Sequence, residues 1–257
     1  DYQTLPLGKI YLAATHIARS FDYGEQFEIK KIESLLDDAY NQAKEFEEKD
    51  SKNIWFKYFA ALAEGYSAYF EAIQGNYFSA MSSGLSSVDY FEECIEYDPN
   101  FYEAFVAIGT YKYWKSRKTE FLNWLPFVSD NRDEGVKLLE TAIEHSSYNS
   151  HLAVNSLIWI YIDQKKSAEA VKLIEAALKE YPECRIFKWG LGRAYEDIDR
   201  KKSVIIYNEI LQSYPSEGKA NHLNEIVLKH KMAQQYEKLS EKNKALKLCN
   251  EILAIKD

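Results

Sequence analysis

Apolar residues recur with the spacing of a helix along most of the chain. In residues 28–49 they fall three or four positions apart, on one face of a helix; they are Ile29, Ile32, Leu35, Leu36, Tyr40, Ala43 and Phe46. The same spacing predicts helices over about 51–73, where Gly75 and Asn76 provide a stop, and over about 77–97. No segment alternates convincingly as a strand does. The pattern predicts an all-α protein of about ten to twelve helices.

The helical pattern also repeats along the second part of the chain. Pro182 and Pro215, each preceded by a tyrosine, stand 33 residues apart and enclose two helix patterns. Leu157 and Tyr161 in one unit correspond to Leu191 and Tyr195 in the next, at a distance of 34 residues. A later unit continues the series with about eight extra residues, through Met232, Ala233, Tyr236, Ala245 and Ile252. A period of this length indicates stacked helical repeats.

The same series explains the turn Asp98-Pro99-Asn100. Pro99 lies 83 residues before Pro182, which is two 34-residue units and 15 further residues. The segment 116–130, "SRKTEFLNWLPFVSD", has that length and lacks a helical pattern, so we interpret it as an insertion. The turn then separates two repeats, and Asn100 with Glu103 is predicted to form a capping box for the next helix.

Paired helices at this period, with small residues where helices cross and proline at the turns, resemble tetratricopeptide repeats. Gly109, Gly192 and Ala170 are the small crossing residues. The resemblance covers about 77–257 and implies a TPR-like right-handed α-solenoid of antiparallel helix pairs, containing the insertion at 116–130. Residues 1–76 are then an atypical N-terminal helical region that caps the repeats.

A narrower likeness concerns the middle of the chain. The stretch from "GTYKYW" through "LP" to "NRDEGVKLLETAI" is similar to eukaryotic TPR proteins associated with the mitochondrial outer membrane and inclusion-body clearance. The shared residues are Gly109, Tyr111, Trp114, Pro126, Arg132, Gly135, Leu138 and Leu139.

Charge and composition exclude some classes of function. The net charge is −8, and residues 1–100 carry 18 acidic against 8 basic side chains. Because nucleic-acid binding needs clustered cations, we expect no nucleic-acid partner. The acidic part is either a solvated face or a docking surface for a basic partner.

No constellation of residues supports catalysis or a cofactor. The three cysteines form no CxxC pair, the five histidines form no HExxH motif, and the glycine-rich "GLG" and "SSGLSS" fall inside helix patterns. We therefore expect a protein that is not an enzyme and holds no cofactor or metal. The longest apolar runs, such as the one that includes 158–162, are far too short to span a membrane, so a soluble chain is expected. The first residue is Asp1 rather than Met, so a cytoplasmic or an exported protein is equally compatible.

The resemblance implies where a partner binds, because the first helix of each pair lines the groove in such repeats. Groove-facing candidates are Tyr113, Trp114, Asn155, Trp159, Trp189, Arg193 and His230. Packing between repeats is an equally good interpretation of Trp159 and Trp189. Trp124 and Phe127 in the insertion are further candidates, either as a lid over neighbouring helices or as a docking element.

The leading functional hypothesis is a scaffold or adaptor that binds a protein or peptide in its groove. The alternative is a carrier of an apolar or aromatic small molecule, because residues 54–127 contain 21 aromatic side chains. The two hypotheses differ in a structural feature. A carrier requires these rings to line one cavity, whereas a scaffold allows them to spread through successive helix interfaces.

Overall fold

The computed structural model describes residues 5–122, 129–214 and 222–255. In these ranges the chain forms twelve α-helices, two short 3-10 helices at Tyr102–Ala104 and Glu120–Leu122, and no strand. The helices are α1 (Pro6–Tyr23), α2 (Ile29–Lys49), α3 (Ile54–Ile73), α4 (Tyr77–Tyr97), α5 (Phe105–Lys118), α6 (Arg132–His145), α7 (Ser150–Asp163), α8 (Ser167–Glu180), α9 (Arg185–Ile198), α10 (Arg200–Gln212), α11 (His222–Lys238) and α12 (Lys242–Leu253). The all-α prediction and the predicted helix count are confirmed.

Local chemistry sets several of the helix ends. Gly75 follows α3 with a φ of 83°, a left-handed conformation that glycine adopts without steric cost. At the start of α10, the carboxylate of Asp199 accepts the backbone N–H groups of Lys201 and Lys202 at 3.0 and 3.2 Å. These two bonds satisfy backbone N–H groups that have no acceptor inside the helix. The glycine stop after α3 and the bounds of α4 agree with the sequence prediction.

Small residues allow the paired helices to approach closely, as predicted. A Cβ atom on Gly109 of α5 would lie 2.8 Å from the carbonyl oxygen of Gly135 on α6. A Cβ on Gly135 would in turn lie 2.6 Å from the carbonyl oxygen of Gly109. The two helix backbones therefore touch at this point, and no larger residue fits. Ala170 on α8 is fully buried.

The chain divides into two compact units, which we describe separately. One unit contains the residues through Phe21 together with Glu25–Asn149, and the other contains Asp22–Gly24 and Ser150–Asp257. The core of the first unit is centred on α3, whose buried residues pack against α2 and α4. The core of the second unit includes Tyr207 of α10 and Met232 of α11. The boundary predicted at residue 76 stays a prediction.

The capping box predicted at Asn100 and Glu103 was wrong. A short 3-10 helix precedes α5, and no side chain caps either helix. The buried carboxylate of Glu103 instead accepts the backbone N–H groups of Ser147 and Tyr148, at 2.6 and 3.0 Å. Glu103 therefore binds the backbone of a turn about 44 residues away instead of the start of its own helix. Backbone N–H groups in the turn after α6 need an acceptor, and the Glu103 carboxylate lies beside them.

Six aromatic residues of the first unit pack together around Trp55 and Tyr58 of α3. Trp55 of α3 lies edge-on to Phe101, with ring centroids 5.0 Å apart, and Tyr58 lies similarly against Phe91 at 5.8 Å. Edge-to-face contacts of this kind stabilise a core. These rings contact one another in a single packed cluster at the core of the first unit.

Among the described helices, none combines the length and the apolar character needed to cross a membrane.

Candidate partner-binding surface

The first helices of three successive pairs, α7, α9 and α11, carry equivalent residues in the second unit. The repeat aligns Leu157, Leu191 and Met232, each of which faces inward and is buried or half-buried. Residues two positions before or after them lie about 200° away around the helix, on the opposite face. These outward positions are Asn155 and Trp159 on α7, Trp189 and Arg193 on α9, and His230 and Gln234 on α11.

Helices α7 and α9 pack directly against each other through buried residues that adjoin this face in the sequence. A Cβ on Gly190 of α9 would be 3.1 Å from Cγ2 of Ile158 on α7. The sequence neighbours of these two residues are Trp159 and Trp189. The absence of a side chain at Gly190 therefore lets the two helices that carry the tryptophans approach each other.

The two tryptophans have different environments. Trp159 is 37% exposed, although the indole is large and apolar. Trp189 is half-buried and packs on Tyr207 of α10, with ring centroids 5.7 Å apart. Asn155, one turn before Trp159, is half-buried. Trp159 is thus available for contact, whereas much of Trp189 belongs to the core.

Charged side chains continue this surface across the three pairs. Arg193 on α9 pairs with Glu196 and Asp197, at N–O distances of 3.5 and 3.8 Å. Lys231 on α11 approaches Glu196 at 3.4 Å, and Lys165 after α7 approaches Asp197 at 3.8 Å. The result is a row of alternating charges that connects α7, α9 and α11.

Glu196 has a fixed position in this row because Tyr207 of α10 binds its carboxylate. The residue is buried, and the hydroxyl of Tyr207 donates a 2.7 Å hydrogen bond to its Oε1 atom. Burial and, next, this bond raise the pKa of Tyr207 well above its ordinary value. Tyr207 therefore stays protonated and remains a donor at neutral pH, and the carboxylate keeps a fixed position.

The remaining sequence-predicted residues lie elsewhere. Tyr113 on α5 is buried in the first unit, where its Cβ would be 3.2 Å from a Cβ on Gly135. Trp114 is half-buried beside Tyr113, with ring centroids 5.2 Å apart. Trp124 and Phe127 lie outside the described residues. The surface in the second unit therefore includes Asn155, Trp159, Trp189 and Arg193, and His230 lies exposed on α11.

Sequence reasoning missed four charged members of the surface, which are Glu196, Asp197, Lys231 and Lys165. The first two follow Arg193 by three and four positions, a helical spacing at which opposite charges meet. The sequence therefore contained a signal for these two residues. It contained no signal for Lys231, because its contact with Glu196 joins two different helices.

Within residues 5–122, 129–214 and 222–255, no group of three or more His, Cys, Asp or Glu side chains could hold a metal ion.

Comparisons with known proteins define the class of fold. No family model and no curated protein matches the chain. Among solved structures, YrrB, a TPR protein with an unusual peptide-binding site, superposes with a TM-score of 0.51 and 10% identity, over 82% of this chain and 90% of that one. A human IFIT1 dimer with PPP-AAAA gives a TM-score of 0.51 and 14% identity, over 95% of this chain. The match covers 55% of the IFIT1 chain.

These neighbours and the paired helices give the protein a TPR-like helical-repeat fold. At 10% and 14% identity the likeness concerns the fold alone. The narrower likeness to the mitochondrial outer-membrane family stays a prediction.

Proposed function

We propose that the protein is a non-enzymatic scaffold that binds a protein or peptide on the surface formed by α7, α9 and α11. The observation that carries the proposal is the exposed Trp159 of α7, the helix that Lys165 follows and whose end the row of charges therefore reaches. A large exposed aromatic with polar groups around it is typical of a binding hot spot.

The surface offers the groups that an extended peptide needs. Trp159 provides an apolar platform for one side chain of the partner. Asn155 has an amide that can both donate to and accept from a peptide backbone. Arg193 carries five N–H donors, of which its ion pairs with Glu196 and Asp197 occupy only part. Together these groups favour recognition of main-chain atoms with one apolar anchor.

A peptide fits this surface better than a nucleic acid. Each cation of the row already faces a carboxylate: Arg193 and Lys231 face Glu196, and Lys165 faces Asp197. Phosphates would have to displace these carboxylates, and the excess of positive charge that drives nucleic-acid binding is small here. The fold is shared with YrrB, a TPR protein with a peptide-binding site, and equally with IFIT1, which was solved with PPP-AAAA, so the charges of the surface carry the preference for a peptide. The absence of a nucleic-acid partner remains a prediction.

The carrier hypothesis receives less support. Its basis was the density of aromatic residues over 54–127, and of the described rings there some pack against one another, as Trp55 and Phe101 do, while others such as Tyr77 and Phe78 are exposed. Rings engaged in this way stabilise the helix pairs and are not free to line a ligand cavity.

The proposal is tested by selecting peptides from a random display library on the full chain and measuring their affinity. We expect Trp159→Ala to weaken binding at least about tenfold, as for an aromatic hot spot. The matched control is Ile205→Ala, which removes an exposed apolar side chain from α10, a second helix of its pair. Its affinity should be that of the wild type. Equal loss in both variants, or no loss in either, would contradict the proposed surface.

A further inference from the structure

The outward face of α4, in the first unit, carries an exposed apolar stripe. Phe78, Met81 and Leu85 follow one another at the spacing of a helix, and they are 91%, 62% and 47% exposed. Ser87 lies about 180° around the helix from Phe78. It is buried, and its hydroxyl donates to the carbonyl oxygen of Ala61 on α3. The stripe therefore points away from the helix on which α4 packs.

The same line along α4 becomes acidic in its second half. Asp89, Glu92 and Glu96 continue the three- and four-residue spacing of the stripe, and all three are exposed. Among the described residues, no cation forms an ion pair with any of them. Lys57 of α3 pairs instead with Glu93, which lies to one side of this line. We call Phe78, Met81 and Leu85 the apolar stripe, and Asp89, Glu92 and Glu96 the acidic end.

The acidic end lies where a helix disfavours negative charge. Glu96 is in the last turn of α4, and the C-terminal end of a helix carries a partial negative charge of its own. Helix α4 contains no Lys, Arg or His that would offset the carboxylates. Residues 1–100 carry 18 acidic against 8 basic side chains, so the surrounding sequence is acidic as well. A cationic partner would relieve this repulsion.

Equivalent helices of the other repeats show that the fold does not need the apolar stripe. Helix α4 packs on α3 as α6 packs on α5, α8 on α7 and α10 on α9. Of the described residues on α6, α8 and α10, Ile205 is the only large apolar side chain that is exposed. The exposed large apolar residues of α4 number five, and they are Tyr77, Phe78, Met81, Leu85 and Tyr97. Contiguous exposed apolar side chains of this kind mark a contact surface.

We propose that the outward face of α4 is a docking surface for a basic amphipathic helix of a partner protein. One half of the partner helix packs large apolar side chains on the apolar stripe, and the other half presents Lys or Arg to the acidic end. The contact extends over about 27 Å, the length of about 18 helical residues. The partner runs antiparallel to α4, because its partially positive N-terminal end then lies beside the carboxylates.

Other occupants match this face less well. A second copy of the chain that used the same helix would bring no cation to the acidic end, since α4 carries none. An anionic membrane surface would accept the apolar stripe but repel the carboxylates beside it. The proposal does not depend on the proposed function of α7, α9 and α11, which belong to the other unit.

The probe is a fluorescent alanine-based peptide of about 18 residues, long enough to form a helix in water. It carries Lys in its N-terminal half and Leu in its C-terminal half, all on one face. Fluorescence anisotropy gives its affinity for the full-length chain. We expect binding that Met81→Glu weakens at least about tenfold, because the variant places a charge in the apolar contact.

The matched control for this variant is Ile205→Glu on α10. Ile205 is 56% exposed, close to the 62% of Met81, and the substitution adds the same charge. Its affinity should stay within about twofold of the wild type. Both substitutions replace exposed side chains, so both variants should melt near the wild-type temperature.

Charge reversal tests the acidic end. A chain with Glu92→Lys and Glu96→Lys should bind the probe at least about tenfold more weakly, and it should bind a second probe in which Glu replaces every Lys. The matched control is Glu169→Lys with Glu209→Lys, which reverses two exposed carboxylates on α8 and α10 and changes the net charge equally. It should bind the first probe as the wild type does. Trp159→Ala should also leave probe binding unchanged, which separates this test from that of the proposed function.

Several results would overturn the proposal. They are a first probe that does not bind the wild-type chain, equal weakening by Met81→Glu and Ile205→Glu, and a reversed chain that rejects the second probe. Self-association of the wild-type chain that Met81→Glu abolishes in sedimentation experiments would assign the face to a second copy. Binding to phosphatidylserine-containing vesicles that the same variant abolishes would assign it to a membrane.

Discussion

Replacing Gly192 by alanine should destabilise the protein, although alanine is the better helix former. A Cβ at this position would lie 2.5 Å from Cε1 and 2.8 Å from Cδ1 of Tyr207, closer than packed carbon atoms come. The ring cannot move freely, because Tyr207 is buried and its hydroxyl donates to Glu196. The methyl group must therefore displace either the ring or helix α10.

The expected size follows from three contributions. Overpacking a dense core costs about 1–3 kcal/mol. Displacing the ring also weakens the Tyr207–Glu196 hydrogen bond, which is worth about 1.5–3 kcal/mol because its acceptor is charged. The gain in helix propensity offsets about 1 kcal/mol. We expect a net loss of about 1.5–5 kcal/mol, and at least as large a loss for Gly192→Leu.

Thermal unfolding followed by circular dichroism tests this expectation, and the melting temperature should fall by at least about 5 °C. The matched control is Gly84→Ala on α4, where a Cβ would meet only the Cβ of Ala68 at 3.7 Å, an ordinary contact. That variant should be unchanged or more stable by about 0.5–1 kcal/mol. If Gly192→Ala melted at or above the wild-type temperature, the contact between α9 and Tyr207 would be refuted, and with it the alignment of the repeats.

Two further variants test buried polar contacts. Glu103→Gln should destabilise the chain by about 1–2 kcal/mol in the same melting assay, because two backbone N–H groups lose a charged acceptor. The control, Glu144→Gln on the exposed side of α6, should have no effect. Tyr207 gives a pH dependence: its raised pKa means that the fold favours the protonated hydroxyl, so its contribution is complete below the unfolded-state pKa of about 10 and is lost as the pH rises above it. The melting temperature should therefore fall less steeply above about pH 10 in Tyr207→Phe than in the wild type, and equal slopes would contradict the role of burial and Glu196.

The individual site residues show how far sequence reasoning reaches. Trp159, two residues after Leu157, and Trp189, two residues before Leu191, both have outward positions by alignment, and both could be assigned to a groove or to a core. The structure distinguishes them because Tyr207 packs on Trp189, whereas Trp159 remains exposed. Tyr113 has a groove-facing position by alignment, but α6 approaches α5 so closely at Gly109 and Gly135 that its side chain is buried. The burial of each of these side chains depends on which other helix packs against it.

The sequence by itself determined the helices, their pairing and the small residues where they cross. These features follow from periodicity, from glycine and proline stops, and from side-chain volume, all of which act between residues close in the chain or at a fixed repeat distance. Only the tertiary structure decided the partner of Glu103 and the charge row from Lys165 to Lys231. Each depends on contacts between residues far apart in the chain, whose geometry no local pattern encodes. Burial then decided which candidate residues can bind a partner, because only an exposed side chain can contact one.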